Sequence, residues 1–324
     1  MNKAKKTILI FGISSFVGSS LAEFYKKHFK VAGTTHATPL KIQGVPILTC
    51  DVLKREEVQL AMYTFRPDYA IYAVGLSSLM DCAESKVFAD ALNAGGLYNV
   101  SEACQRFKAQ LIYLSSSYVF AGEDKYYVES DIPDPICMMG KTKAAAEFYI
   151  QRTSLNYLIF RSCPLYGHGS HPLDFNFFEQ IQRNINKGVN LMCDNHIHIG
   201  FLDIMYLAMF IKLCLEREIS NRMFQINSTD VVTHYEFAKL YCKTFNESDL
   251  NIERGRWFFP LMETARDIDL SKDLWFRLDV MNIESFLTVK MPTVLESLQF
   301  TYKRLGGEPP KEGKRQQTGD LTYI

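Results

Sequence analysis

The sequence predicts an α/β fold, a doubly wound parallel sheet with a smaller lobe after it. Three observations point there. Short β-rich runs alternate with amphipathic stretches through the first half, the pattern of βαβ units. Those runs are nearly continuous in apolar residues, as expected of strands covered on both faces. The first of them ends in a glycine-bearing turn that opens directly into a helix.

The elements follow in order. "KTILIFG" is read as a strand and "SSFVGSSLAEFYKKH" as the helix after it, with "FKVAGTTH" and "VPILTCDV" as the next two strands. "KREEVQLAMYTF" is a helix and "YAIYAVG" a strand. "AESKVFADALNAGGLYNVSEACQRF" reads as one long helix leading into the strand "AQLIYLSSSYVF". A helix is expected over 139–153, where Ala144, Ala145, Ala146 and Glu147 are strong helix formers. The strand "NYLIFRS" closes this series. After Tyr166 the rhythm changes: "GHGSHPLDFN" is a polar loop, and "HIHIGFLDIMYLAMFIKLCLE" reads as a short strand and a long apolar helix. Further on, Thr233 is a candidate N-cap, with Glu236 placed to complete a capping box. The division expected is a nucleotide-binding domain over 1–165 and a smaller substrate lobe over 166–305, interleaved with returns to the main sheet. The Gly-, Pro- and charge-rich 306–324 is expected to be a mobile tail.

Composition narrows the function. The chain has 324 residues, 47% of them hydrophobic, and 36 basic side chains balance 36 acidic ones. A nucleic-acid footprint needs a basic excess, and a membrane-surface role finds no support either. No window approaches the roughly 18 apolar residues of a membrane span. The start, "MNKAKKTILIFGISSF", is read as a strand and not a signal peptide, because Gly12 and Ser14 break the apolar run and no small-residue cleavage site follows. Cys50, Cys82, Cys104, Cys137, Cys163, Cys193, Cys214 and Cys242 are scattered, without a Cys-x-x-Cys pair. They are expected to be reduced core thiols of a cytoplasmic protein, not a disulfide framework or zinc site.

Gly12 and Gly18 lie in the turn between the first strand and first helix. Glycines there let backbone amides approach a pyrophosphate, whose charge the helix N-terminus favours. An acidic residue some 20 positions on would bind the ribose hydroxyls of NAD. Here the second strand ends in Thr34, Thr35 and His36, with no carboxylate. A 2′-phosphate meets no repulsion there, so NADP(H) is favoured, with NAD(H) as the alternative.

The segments "GISSFVG", "CDV", "RPDYAIYAVG", "LNAGGLYNVSEAC", "LSSSYVFAG", "YYVESDIPDP", "GKTKAAAE" and "RSCPLYG" stand in the order and spacing of a known family. Over roughly residues 6 to 305 the chain resembles the extended short-chain dehydrogenase/reductases. Within their nucleotide-sugar branch it looks like the dTDP-4-dehydrorhamnose reductases and the regulatory β-subunits of methionine adenosyltransferase. The resemblance implies a Rossmann-type domain that binds NADP(H) or NAD(H). Gly12 and Gly18 match the outer glycines of the family's Gly-x-x-Gly-x-x-Gly, with Phe16 and Val17 between them. Ser15 replaces the middle glycine, where it would either crowd the phosphates or hydrogen-bond one. Thr35 and His36 fall at the ribose end of the second strand. Asp51 and Val52 match the pair that holds the adenine. Ala73, Val74 and Gly75 match the segment over the adenosine ribose, and Leu114 and Pro164 also fall at cofactor-lining positions.

The family's chemistry uses a hydroxyl that polarises a carbonyl, a tyrosine that exchanges the proton, and a lysine that lowers the tyrosine's pKa and binds the nicotinamide ribose. Ser116 matches the hydroxyl and Lys143 the lysine. Met139 stands in the tyrosine's place, and a thioether has no proton to give. The ordinary role of such a methionine is core filling. Nucleotide-sugar 4,6-dehydratases also carry methionine there, so the substitution does not by itself imply inactivity. Tyr118, read as lying on the same strand face as Ser116, is a further candidate. Two readings stay open: an enzyme acting on a nucleotide-linked hexose, or a dinucleotide-binding scaffold that serves a partner enzyme. For substrate the candidates are Asn176, His171 and Arg183, with Arg254, Arg256 and Trp257 in "ERGRWFFP" as a further diphosphate site. His196 and His198 share a face if their run is a strand, but no convincing further ligands accompany them, so no metal is expected. The family's habit of pairing through two helices implies a homodimer through roughly 85–107 and 139–153.

Overall fold

The structure is a computed structural model that describes residues 5–154, 156–169, 176–256 and 272–307. The chain opens with β1 (Thr7–Phe11), α1 (Phe16–Tyr25), β2 (Lys30–Thr35) and β3 (Ile47–Thr49). Then come α2 (Arg55–Phe65), β4 (Tyr69–Tyr72), α3 (Leu79–Glu84) and α4 (Lys86–Asp90). A π-helical turn, Ala91–Gly95, leads into α5 (Gly96–Phe107). β5 (Gln110–Ser116) ends in a 3-10 turn, Ser117–Val119, before β6 (Tyr126–Tyr127), α6 (Met138–Thr153) and β7 (Tyr157–Ser162). β8 (Leu165–Tyr166), α7 (Phe177–Lys187), β9 (Leu191–Asp194), β10 (Ile197–Ile199), β11 (Leu202–Asp203) and α8 (Ile204–Glu216) follow. The last described elements are β12 (Arg222–Ile226), α9 (His234–Phe245), β13 (Ile252–Gly255), β14 (Leu274–Leu278), α10 (Met281–Leu287) and α11 (Val294–Arg304).

Seven strands form one parallel sheet in the order β12-β7-β5-β4-β1-β2-β3. Both of its faces are covered, which the sequence of β1 already requires. Ile8 and Ile10 pack with residues of α1 and α8, while Leu9 and Phe11 pack with residues of α2, α5 and α6. All four are fully buried, each worth roughly 1.5–3 kcal/mol of transfer free energy. The chain winds from β1 outward through β2 and β3, then resumes on the other side at β4. Ligands of such sheets bind beyond the carboxyl ends of the strands at that switch point.

Two expectations need correction. The long helix over 83–107 is interrupted: Ser85 separates α3 from α4, and the π-helical turn inserts itself before α5. A π-turn adds one residue to a helical winding, too slight a change to disturb apolar periodicity. The strand expected to reach Phe120 stops at Ser116, so Ser116 and Tyr118 do not share a strand face. Ser116 itself ends the strand, its side chain accepting the Tyr118 amide at 3.2 Å. The Thr233–Glu236 capping box is formed. All eight cysteines are free and buried. Among the described residues no helix is long and apolar enough to cross a membrane.

His234, the first residue of α9, is buried against the rings of Phe177 and Phe201, with centroids 4.8 and 5.0 Å away. Burial pulls its pKa from 6.5 to about 3. A depressed folded pKa means that the unfolded chain takes up the proton first. Its contribution to stability is therefore complete above about pH 6.5 and is lost as the pH falls toward 3. The limiting slope is roughly 1.4 kcal/mol per pH unit. Urea denaturation across this range is expected to show the loss, and His234→Phe to flatten it. An unchanged slope in the variant would assign the acid sensitivity elsewhere.

Candidate dinucleotide and catalytic site

The glycine turn is tightly built. Gly12 has φ +81°, and a Cβ there would lie 2.7 Å from the Ala73 carbonyl oxygen. A Cβ on Gly18 would lie 2.2 Å from the Gly12 oxygen. Both contacts are with backbone, so no side-chain shift relieves them. Gly12 and Ile13 donate to the Thr34 carbonyl, which hangs the turn on the end of β2. The Ser15 hydroxyl caps α1, accepting the Gly18 amide at 3.0 Å and donating to the Gly12 carbonyl at 2.9 Å. The amides of Phe16 and Val17 find no partner among the described residues. Two backbone donors at a helix N-terminus, beside a glycine backbone, fit the pyrophosphate of a dinucleotide.

The neighbouring segments converge on this turn. Thr35 donates to the Thr38 carbonyl at 2.6 Å and lies 3.0 Å from the Ser14 hydroxyl, while His36 is exposed. The Asp51 amide is held by Glu57 at 2.7 Å, and the Asp51 carboxylate accepts the Leu53 amide at 3.0 Å. Val52 is buried, and its carbonyl accepts from Asn99. Ala73 donates to the Phe11 carbonyl beside β1, and Val74 leads on to Gly75 at φ +144°. A Cβ on Gly75 would strike the Asn93 Oδ1 at 2.2 Å.

Asn93 is a residue that reading the sequence missed. It sits fully buried in the π-turn, and its side-chain amide donates to the Leu76 carbonyl at 3.2 Å and to the Thr142 hydroxyl at 3.0 Å. Thr142 in turn donates to the Met139 carbonyl. One side chain thus ties the β4 loop to the first turn of α6. The signal for it was the Asn-Ala-Gly-Gly run inside an otherwise helical pattern.

α6 brings the catalytic candidates to the end of β5. Gly140 sits so close to the 3-10 turn after β5 that a Cβ would lie 1.9 Å from the Tyr118 carbonyl oxygen. Lys143 donates from Nζ to the Leu114 carbonyl at 2.9 Å and lies 5.1 Å from the centroid of the Tyr113 ring. Burial pulls its amine down to about 8. Met139 is buried in a cluster that includes Tyr118, Cys137, Phe201 and Phe276. Tyr118 packs edge-on against Phe276, and burial holds its phenol well above the usual range. Pro164 accepts the Leu202 amide through its carbonyl.

The remaining candidates are used structurally or lie apart. Asn176 caps α7 in a full capping box, and its amide also donates to the Gly167 carbonyl at 2.7 Å. Arg183 is exposed on α7. His196 precedes β10 and is therefore not within the strand with His198; both bond Asp273, at 2.8 and 3.3 Å. His198 stacks on Trp275. Arg254 lies over Tyr235, and Arg256 donates to His196. His171, Trp257 and the tail from 308 lie outside the described residues.

The chain is similar to known proteins. The chain is 29% identical over 171 residues to the methionine adenosyltransferase 2 subunit beta of Rattus norvegicus, covering 52% of this chain and 49% of that protein. The chain therefore spans about half the length of that relative. It is 27% identical over 234 residues to the dTDP-4-dehydrorhamnose reductase of Aggregatibacter actinomycetemcomitans, covering 71% and 76% of the two chains. Among solved structures it is similar to a Bacillus anthracis dTDP-4-dehydrorhamnose reductase in complex with NADP, with TM-score 0.77, 20% identity and coverage of 94% and 100%. It is also similar to a Thermotoga maritima UDP-glucose 4-epimerase with UDP-glucose, with TM-score 0.75, 18% identity and coverage of 93% and 98%. The model described as RmlD substrate binding domain matches residues 6–298, and the chain belongs to that family.

Proposed function

We propose that this protein is an NAD(P)-dependent oxidoreductase or epimerase-type enzyme acting on a nucleotide-linked 4-keto or 4-hydroxy hexose. The observation that carries the reading is a set of parts at the carboxyl ends of β1 and β5, the two strands flanking β4: the amides of Phe16 and Val17 after β1, and the Ser116 hydroxyl ending β5 with the Lys143 amine bonded to the Leu114 carbonyl nearby. Gly12, Phe16, Val17 and Gly18 would hold the pyrophosphate, Asp51 and Val52 the adenine, and Ala73 to Gly75 the ribose. The dinucleotide, when bound, supplies or accepts a hydride at the sugar carbon. The protein's own part is to orient the sugar oxygen toward Ser116 and to manage the proton.

The lack of a carboxylate at the end of β2, with His36 exposed there, favours NADP(H) over NAD(H). Calorimetric titration with all four dinucleotides tests this: NADP(H) should bind more tightly, and Gly18→Ala should abolish binding to each. Absence of binding at millimolar ligand would remove the basis of the enzymatic reading.

A second reading rests on Met139. It places a buried thioether where the family has its tyrosine, which suits a dinucleotide-binding regulatory subunit for a partner enzyme. An active oxidoreductase should keep most of its turnover in Met139→Ala and lose it in Ser116→Ala. A protein that binds dinucleotide but turns over no nucleotide sugar would fit the regulatory reading. Self-pairing is proposed through α4, α5 and α6, where Val87, Phe88 and Phe148 are exposed; a monomer by sedimentation would remove it. The reduced thiols suit a cytoplasmic setting.

A further inference from the structure

We infer that Lys143 itself exchanges the proton with the sugar oxygen, taking over the task that position 139 performs when it carries a hydroxyl. This rests on the oxidoreductase reading above. The other protic groups near Met139 are poorly suited. The Tyr118 phenol is buried and held well above its ordinary range. Cys137 is buried, and its sulfur accepts the Gly140 amide at 3.5 Å as the cap of α6. Cys82 is fully buried, donates to the Leu76 carbonyl at 3.4 Å, and is pushed up to about 11. The Ser116 hydroxyl polarises an oxygen but does not titrate near neutrality.

Lys143 differs in position and in chemistry. It lies one turn after Met139 on the same helix face, and the Leu114 carbonyl engages Nζ just before the end of β5. Nζ has further N–H bonds to offer beyond that contact. The titratable groups facing it are Cys82 from α3, Glu147 from its own helix and the Tyr113 ring from β5. Cys82 and Glu147 each raise its pKa, but burial lowers it more, to about 8. Glu147 has little charge to spare, since Arg161 holds its carboxylate at 2.8 Å in a buried pair. An amine so poised populates both protonation states close to neutral pH, as a general acid–base group should.

The step balances simply. As the sugar carbonyl carbon gains hydride, a Lys143 N–H bond breaks and its electron pair stays on Nζ. An O–H bond forms at the sugar oxygen, directly or through one intervening hydroxyl or water, and solvent returns the proton to the amine. Oxidation runs the same transfer backward.

Two measurements test this together. Competitive acylation of the natural protein across pH 6–10, read by mass spectrometry on the Lys143 peptide, is expected to inflect near 8. Lys143→Arg keeps a positive charge that never titrates in this range. Turnover of a nucleotide-linked 4-keto hexose at saturating dinucleotide should fall about 10²- to 10⁴-fold, well beyond the loss of dinucleotide affinity measured on the same variant. Inflection in the range of an ordinary lysine, or full turnover in Lys143→Arg, overturns the inference and leaves the oxidoreductase reading intact. A natural protein with bound dinucleotide, an amine titrating near 8 and no turnover overturns both.

Discussion

Gly140→Ala is expected to destabilise the protein by about 3 kcal/mol, the upper end of ordinary overpacking costs. The added methyl would sit 1.9 Å from the Tyr118 carbonyl oxygen and 2.8 Å from the Pro135 Cβ. The first neighbour is backbone of the 3-10 turn that follows β5, so relief requires α6 to move away from that turn. Met139 and Lys143 ride on that helix, and Lys143 would lose its bond to the Leu114 carbonyl. Urea denaturation should therefore show a lower midpoint, and calorimetry a weaker dinucleotide complex, from the same substitution. A variant with unchanged stability and binding would mean that the contact at Gly140 is looser than the structure shows.

Removing one member of the Glu147–Arg161 pair should cost about 3–5 kcal/mol, because an uncompensated charge is then left buried. Both side chains are almost completely buried. Arg161 donates Nε and Nη2 to the carboxylate and Nη1 to the Glu129 carbonyl, and lies over the Phe120 ring. Glu147→Leu and Arg161→Met are each expected to reach this loss. The double variant buries no unpaired charge and should lose less than either single change. Losses that simply add would contradict direct pairing.

The fold was legible because its parts obey local rules. Ile8 and Ile10 on one face and Leu9 and Phe11 on the other make β1 apolar throughout, and only a sheet covered on both sides accepts that. Thr233 and Glu236 carry their capping box within four residues of sequence. Features that depend on tertiary contact were hidden. Glu147 reads as an ordinary helix-forming glutamate until β7 brings Arg161 against it. Ser15 reads only as a side chain that crowds the phosphates or bonds one, and its capping of α1 shows in the structure alone. The π-turn at Asn93 leaves no periodic trace, and Tyr118 was placed on a strand that ends two residues earlier. Motif spacing placed the glycine turn after β1, Ser116 at the end of β5 and Lys143 on α6, and the structure has them at those positions. The burial of the Lys143 amine was not legible, because it depends on how α6 packs against β5.

The most direct test of the account mixes the protein with NADPH and a nucleotide-linked 4-keto hexose and follows the absorbance of the reduced nicotinamide. Oxidation of many equivalents per protein, abolished by Ser116→Ala, is the expected result. A signal that stays constant while calorimetry shows the dinucleotide bound would contradict it.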